Sequence, residues 1–352
     1  MTACFSVCIP IWNESEWLPG AIESALAQDY GDWELVIADN ASEEDLASVV
    51  ARFDDPRIRY HRFTDHVDVY ESFNRACQLC NYEWIHPLSA DDRLNPDCLS
   101  TMAARVAEAG DRRLAAVIAD CERIDAEGND ANAIYFGHQQ IVPIADGTYD
   151  ASQWFDLMAT PSQVPWNLGA IAFNREVLVE SGWFRPDVGY GADMELVLRI
   201  SAYGDITYIG RKLMRYTVRG NSDSSGRSLR LLQENDRMTA MEAAWDSALR
   251  SHATKRTIPR RQVERINDVI ARSHIQRALN HRLWKQGHGR RGALLDVWRA
   301  YKISPSLAAS PRHIGASALA VFAPSPAVSW VMQRLTTRRR GPVSTVGVPT
   351  RV

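Results

Sequence analysis

The sequence predicts an α/β protein: a mostly parallel sheet flanked by helices, continued by a helical C-terminal extension. Three observations predict it. Short apolar, β-rich runs alternate with segments of helical periodicity in the first quarter of the chain. Three of those runs end in polar, acid-bearing turns. Further on, the charge reverses: residues 1–229 carry 18 Lys and Arg against 36 Asp and Glu, whereas residues 230–352 carry 22 against 7.

The elements follow in order. Residues 5–11 (Phe-Ser-Val-Cys-Ile-Pro-Ile) form a strand run that stops at Trp12-Asn13-Glu14-Ser15, and residues 17–28 carry apolar side chains at helical spacing. Residues 33–38 make a second buried strand closed by Asp39-Asn40-Ala41-Ser42, and residues 45–53 a helix. A third strand at 57–62, a helix at 70–80 and a fourth strand at 83–88 follow, the last running into Ser89-Ala90-Asp91-Asp92. Residues 114–121 are apolar enough for another strand, and 126–148 read as a polar connection. Residues 154–168, with Pro161, Pro165, Trp154 and Trp166, read as a loop-rich aromatic stretch whose tryptophans suit a pocket wall or the core equally. A strand at 170–173 and a short helix at 175–181 come next. Gly189-Tyr190-Gly191-Ala192-Asp193 then opens a helix carrying Leu196, Val197 and Ile200. Residues 230–352 read as Arg-dense helices broken by prolines, which sets the division into a 1–229 body and a 230–352 extension.

Composition narrows the function. With 45% hydrophobic and 24% charged residues over 352 positions, the chain is neither disordered nor a disulfide scaffold. The acidic body argues against nucleic acid as a partner, and the basic extension suits an anionic membrane surface. Residues 314–333 hold no charge and precede Arg334 and Arg338-Arg339-Arg340, but two prolines and three serines within them rank a helix or hairpin lying in the membrane interface first, a buried packing helix next and a span last. The first residues show no secretory pattern, so a cytoplasmic location, peripheral at the membrane face, is expected. Cys77-Gln-Leu-Cys80 has no second such pair, so packed thiols are expected there rather than zinc.

In a parallel sheet, ligands bind beyond the carboxyl ends of the strands. Trp12, Asn13, Asp39, Asp91 and Asp92 all fall at that rim. Neither a dinucleotide fingerprint after the first strand nor a Walker A loop is present, so any phosphate there needs carboxylate-bound metal to neutralise it.

This set of motifs resembles the family 2 glycosyltransferases, inverting nucleotide-sugar transferases of the GT-A fold. The resemblance runs over about residues 4–225. It rests on Val7-Cys8-Ile9-Pro10-Ile11-Trp12-Asn13-Glu14, Ala25-Leu26-Ala27-Gln28-Asp29-Tyr30, Asp39-Asn40-Ala41-Ser42, Ser89-Ala90-Asp91-Asp92-Arg93-Leu94-Asn95-Pro96-Asp97, Gly182-Trp183-Phe184 and Gly191-Ala192-Asp193-Met194-Glu195-Leu196, in that order. It implies transfer of a sugar from a nucleotide-diphosphate donor, UDP- or dTDP-linked, to a saccharide or lipid-linked saccharide acceptor in cell-surface polysaccharide or glycolipid synthesis. Pro10, Trp12, Glu14, Asp39 and Asp91 would hold the nucleotide, Trp12 by stacking on the base. Asp92 would carry a divalent Mg²⁺ or Mn²⁺, and Asp193 would be the catalytic base. Trp166, Asn167, Trp183 and Tyr190 are candidates for the sugar and acceptor pocket. Two positions depart from the family pattern: Ala192 stands where an acidic residue is common, and Arg219 where a histidine is frequent. Arg cannot ligate a metal, and Arg219 is assigned instead to the diphosphate. The competing expectation is a non-catalytic nucleotide-sugar-binding protein with a degenerate site.

Overall fold

The computed structural model describes residues 2–131, 143–158, 166–219, 234–255, 258–283 and 289–322. Its first part alternates strand and helix: β1 (Phe5–Ile11), α1 (Leu18–Leu26), β2 (Trp33–Asp39), α2 (Leu46–Val50), β3 (Ile58–Arg62), α3 (Val69–Gln78) and β4 (Trp84–Pro87). Then come β5 (Arg93–Leu94), α4 (Cys98–Glu108), β6 (Leu114–Ile124), β7 (Gly147–Tyr149), α5 (Ala151–Met158), β8 (Ile171–Asn174), α6 (Arg175–Ser181), α7 (Ala192–Ile200) and β9 (Asp205–Thr217). Four helices follow: α8 (Glu234–Lys255), α9 (Arg260–Leu283), α10 (Gly289–Ile303) and α11 (Pro311–Phe322). The strands form one sheet in the order β3-β2-β1-β4-β8-β6-β9-β5, with β7 also on β9.

Local chemistry explains these elements. β2 is buried at all seven positions, as a strand covered on both faces must be. Pro10 sits inside the central strand β1 without cost to the ladder. It pairs with Ala38 on one side, while on the other the β4 ladder ends at Cys8–Pro87. Proline also occupies the first turn of α1, where its missing N–H is not needed. Asp68 caps α3 by accepting from the Tyr70 and Glu71 N–H groups, and Asn174 caps α6 through Val177 N–H.

Strand direction places the site. β1, β2, β3 and β4 are parallel, so their carboxyl ends share a rim. β8 is antiparallel to both β4 and β6, which returns β6 to the direction of β4, and β9 runs parallel to β6. The end of β9, with Thr217 and Arg219, therefore arrives at the same rim. The long ladders are parallel, and the antiparallel ones at β4–β8, β5–β9, β6–β8 and β7–β9 are short.

The structure departs from the sequence reading in three places. Residues 151–158, where a loop-rich stretch was expected to begin, wind into α5 and bury Ala151, Trp154, Phe155 and Met158 at helical spacing. The prolines that suggested a loop lie after the helix. The thirteen-residue strand β9 was not expected, because Gly210, Arg211 and Lys212 interrupt its apolar pattern. The β6–β9 register shifts around Asp120 and carries these exposed residues outward. Helix α4 was likewise unforeseen.

The chain divides into two compact units, Met1–Gln262 and Val263–Val352. The compositional boundary at 229/230 lies in residues 220–233, outside the described set. In the first unit α8 packs on α7, burying Ala244, Trp245, Ala248 and Leu249. In the second, α9, α10 and α11 pack through Ile275 and Leu279 and through Ala271, Ala278, Ala293, Ala300 and Ala320, whose small side chains let the helices approach closely. Among the described residues no helix is long and apolar enough to cross a membrane. Most of residues 314–333 lie outside the description, which ends at Phe322. Cys8, Cys77, Cys80, Cys98 and Cys121 are buried thiols outside any disulfide.

Candidate active site

The rim is built from turns that lock one strand end to the next. After β1 the chain turns sharply, with Asn13 at φ 59° and Glu14 at φ 69°. Two successive non-glycine residues in this region cost about 1–3 kcal/mol each. The Asn13 N–H donates to Ser42 Oγ at 2.8 Å, and Asn13 Oδ1 accepts from the Glu43 N–H at 3.0 Å. Trp12 projects from this turn 46% exposed, with His66 beside it at 4.6 Å between ring centroids. A large aromatic left half in water at a sheet rim offers a stacking face.

Asp39, at the end of β2, is wholly buried. Its Oδ1 accepts from the Ser42 N–H at 2.8 Å, and its Oδ2 accepts from Tyr60 Oη at 2.5 Å and lies 3.7 Å from Arg62 Nε. Asp39 thus braces its own turn before any ligand arrives.

Asp91 and Asp92 follow β4 and have different partners. Arg219, just past β9, sets its Nε 2.7 Å from Asp91 Oδ2 and its Nη2 2.6 Å from Glu14 Oε1, with its guanidinium 5.1 Å from the Trp17 ring. Burial alone would lower the Arg219 pKa, but Asp91 and Glu14 more than offset it and the value rises. Asp92 Oδ1 accepts from the Thr217 N–H at 3.0 Å, while Oδ2 is buried without a hydrogen-bond partner. Burial, reinforced by the neighbouring Asp91 charge, pushes the Asp92 carboxyl well above the usual range. Burial also raises Asp91, against the pull of Arg219.

The floor under Asp92 is tightly fitted. A Cβ on Gly169 would lie 3.4 Å from Asp92 Oδ2 and 3.0 Å from Met214 Cε. The Gly169 carbonyl bonds His86 Nε2 at 2.8 Å, and burial drops the His86 pKa to about 4, so the ring is neutral and Nε2 carries the proton.

Asp193 lies in the first turn of α7 and accepts from its neighbour's Met194 N–H at 2.7 Å. Burial raises its pKa. Glu195 points elsewhere: fully buried, it pairs with Arg199 Nε at 2.8 Å and accepts from Ser247 Oγ at 2.6 Å. Arg199 also donates to the carbonyls of Ser181, Gly182 and Trp183, so the Gly182-Trp183-Phe184 motif holds a loop against the base of α7.

The structure therefore joins Glu14, Asp91 and Arg219 directly, sets Asp92 on Thr217 beside them, and braces Asp39 and Trp12 on the adjoining turns. Asp193 stands on its own helix. Of the pocket candidates, Trp166 is buried in the core, Asn167 Oδ1 accepts from the Gly169 N–H, and Trp183 is half-buried with its carbonyl on Arg199. The Tyr190 side chain lies outside the described residues. Sequence reasoning missed Arg93, whose guanidinium donates to the Ala90, Asp92 and Trp17 carbonyls and pins the acidic turn to α1. Gly20 makes room for it, since a Cβ there would fall 2.3 Å from Arg93 Nη2. The glycine after Pro19 was the available signal. Among the described residues no group of three or more His, Cys, Asp or Glu is placed to hold a metal ion.

The chain is 37% identical over 108 residues to a PGL/p-HBAD biosynthesis glycosyltransferase of Mycobacterium bovis, covering 30% of this chain and 42% of that protein. It is 35% identical over 101 residues to the putative colanic acid biosynthesis glycosyl transferase WcaA of Escherichia coli, covering 28% and 36%. The chain thus spans about two fifths of these relatives' length. In fold it is similar to S. aureus TarS 1-349 in complex with UDP-GlcNAc, with TM-score 0.62, 14% identity and coverage of 94% of this chain and 92% of that one. The architecture is GT-A, with helices following the sheet domain. The Glycosyl transferase family 2 model matches residues 6–145, from β1 to just before β7.

Proposed function

We propose that the protein is an inverting glycosyltransferase that moves a sugar from a UDP- or dTDP-linked donor to a saccharide or lipid-linked saccharide acceptor at an anionic membrane face. The observation that carries the reading is the convergence of Glu14, Asp91, Asp92 and Arg219 at one rim, beside an exposed Trp12. This arrangement offers a stacking face for a base, carboxylates for a ribose and a guanidinium for a diphosphate. TarS, the fold neighbour, was crystallised with UDP and with UDP-GlcNAc, which supports a uridine nucleotide here.

Asp193 is the proposed base. Its carboxylate takes the proton of the acceptor hydroxyl as that oxygen bonds to the anomeric carbon; the bond from that carbon to the diphosphate oxygen breaks, and the configuration inverts. A raised pKa brings this base closer to the pH at which it must accept a proton. Arg219 takes up charge on the departing diphosphate. A divalent cation fits one atom here, the partnerless Asp92 Oδ2, so Asp92 together with donor oxygens would hold it, and when bound it would neutralise the leaving group.

Isothermal titration with UDP, dTDP and GDP, each with and without Mn²⁺, tests the donor reading, followed by a transfer assay. Asp92→Ala is expected to lose the metal-assisted part of nucleotide binding. Asp193→Asn is expected to keep binding and lose transfer by about 10²–10⁴-fold. Absence of nucleotide binding in a folded protein would overturn the proposal.

A further inference from the structure

Helix α10 presents two unlike faces. Ala293, Asp296 and Ala300 are buried against α9 and α11, and Asp296 Oδ1 sits 3.2 Å from His274 Nδ1. On the other side Leu294, Leu295 and Trp298 are 57%, 46% and 57% exposed. The spacings 294/298 and 295/298 are four and three residues, so these side chains form one patch on the helix surface. Arg291, Arg299 and Lys302 are also exposed and fall on the same face by the same spacings, from 291 to 295, 295 to 299 and 298 to 302. The Lys302 ammonium lies 5.0 Å from the Trp298 ring centroid.

A soluble helix buries its leucines and turns its charges outward; α10 turns both outward together. Three large apolar groups within a ring of cations, with no acid among the exposed residues of that face, match the chemistry of an acyl boundary under anionic headgroups. A protein partner with an apolar surface would not by itself explain the cations. The whole unit agrees in charge, with 15 Lys and Arg against 3 Asp and Glu in residues 263–352.

We infer that the Leu294–Leu295–Trp298 face of α10 is a docking surface for an anionic lipid bilayer, with Arg291, Arg299 and Lys302 reading the headgroup charge. This deepens the membrane part of the proposed function by assigning it to a helix face rather than to the apolar tract at 314–333, and it is independent of the donor site.

The test is co-sedimentation of the full chain with vesicles of phosphatidylcholine alone and of phosphatidylcholine with phosphatidylglycerol. The wild type is expected to sediment with the anionic vesicles, weakly with neutral ones, and to be released by raised salt. The triple variant Leu294→Ser, Leu295→Ser, Trp298→Ser is expected to bind at least about tenfold more weakly, with an unchanged melting temperature because all three side chains are exposed. The charge variant Arg291→Ala, Arg299→Ala, Lys302→Ala is expected to lose the preference for anionic vesicles. Retention of the triple variant overturns the inference and moves attention to the tract beyond α11. Failure of the wild type to sediment, together with a dimer that the triple variant dissociates, also overturns it and makes the face a contact between two copies. UDP titration of the same samples separates these outcomes from failure of the donor site.

Discussion

At the scale of single residues, Arg219 changes the character of the site most. Its guanidinium ties Asp91 to Glu14 and neutralises carboxylates that would otherwise repel a diphosphate. At the proposed site a donor would have to draw this cation away from Asp91 or share it, and a fixed positive charge would then do part of the work of a divalent ion. Arg219→Ala removes that charge and leaves Asp91, itself raised by burial, without its ion pair. Donor affinity is expected to fall about tenfold to a hundredfold without metal, a charge-assisted hydrogen bond being worth about 1.5–3 kcal/mol. The loss should be smaller with Mn²⁺ present, because the freed carboxylate can then contribute to a metal site. Nucleotide titration in EDTA and in Mn²⁺ measures the difference, and an equal loss under both conditions would refute the compensating role. The sequence showed that an arginine occupies this position; it did not show that the same side chain bridges two strand ends, because that contact joins residues 14, 91 and 219 across the whole sheet.

At the scale of elements, a buried ion pair that begins two residues from Asp193 anchors helix α7. Arg199 is nearly buried, bonds both Glu195 oxygens, and spends its remaining donors on three successive carbonyls of the loop after α6. Ser247 from α8 donates to the same Glu195 oxygen and accepts from Arg185, so the pair also fixes α8. Truncation to Arg199→Ala strands the Glu195 carboxylate in the interior and frees the carbonyls, a change that costs about 3–5 kcal/mol. An unfolding free energy from chemical denaturation lowered by that much is the expected result, with transfer activity falling further than nucleotide affinity because the loop and the proposed base move while the Asp91 turn does not. An unfolding free energy within about 0.5 kcal/mol of wild type would contradict it. The pattern Glu195-x-x-x-Arg199 was legible as a helical i, i+4 pair, and the geometry of an α-helix already turned Glu195 away from Asp193. Its burial was not legible, since that depends on α8 arriving from fifty residues downstream. Helix α5 shows the reverse case. Its buried stripe was present in the sequence, and the prolines just beyond it outweighed the periodicity.

At the scale of the whole molecule, the alternating elements through β4 could be read because each strand is short, apolar and closed by a polar turn. Beyond β4 the sheet is completed by β8 and β9 from distant sequence, and local pattern no longer decides the pairing. That completion places two buried histidines beneath functional elements of the Met1–Gln262 unit. His86 on β4 supports Gly169 below Asp92, and His252 on α8 contacts the Leu198 carbonyl at 2.9 Å within α7. Burial lowers both pKa values from 6.5 to about 4. For a base with a depressed folded pKa, the unfolded chain binds protons that the folded chain refuses. The stabilisation is therefore complete above pH 6.5 and is lost as pH falls from 6.5 toward 4, by on the order of 3 kcal/mol for each ring at the acid end. The raised carboxyls of Asp91, Asp92 and Asp193 act in the opposite sense, favouring the folded state as they protonate. A double variant, His86→Gln with His252→Gln, removes only the histidine contribution. Thermal melts between pH 7 and pH 4.5 are expected to show the wild type losing stability on acidification, and the double variant losing less or gaining. Parallel curves for the two proteins would mean that the rings take up protons in the folded state, and that Gly169 and the α7 carbonyl are not held by neutral imidazoles.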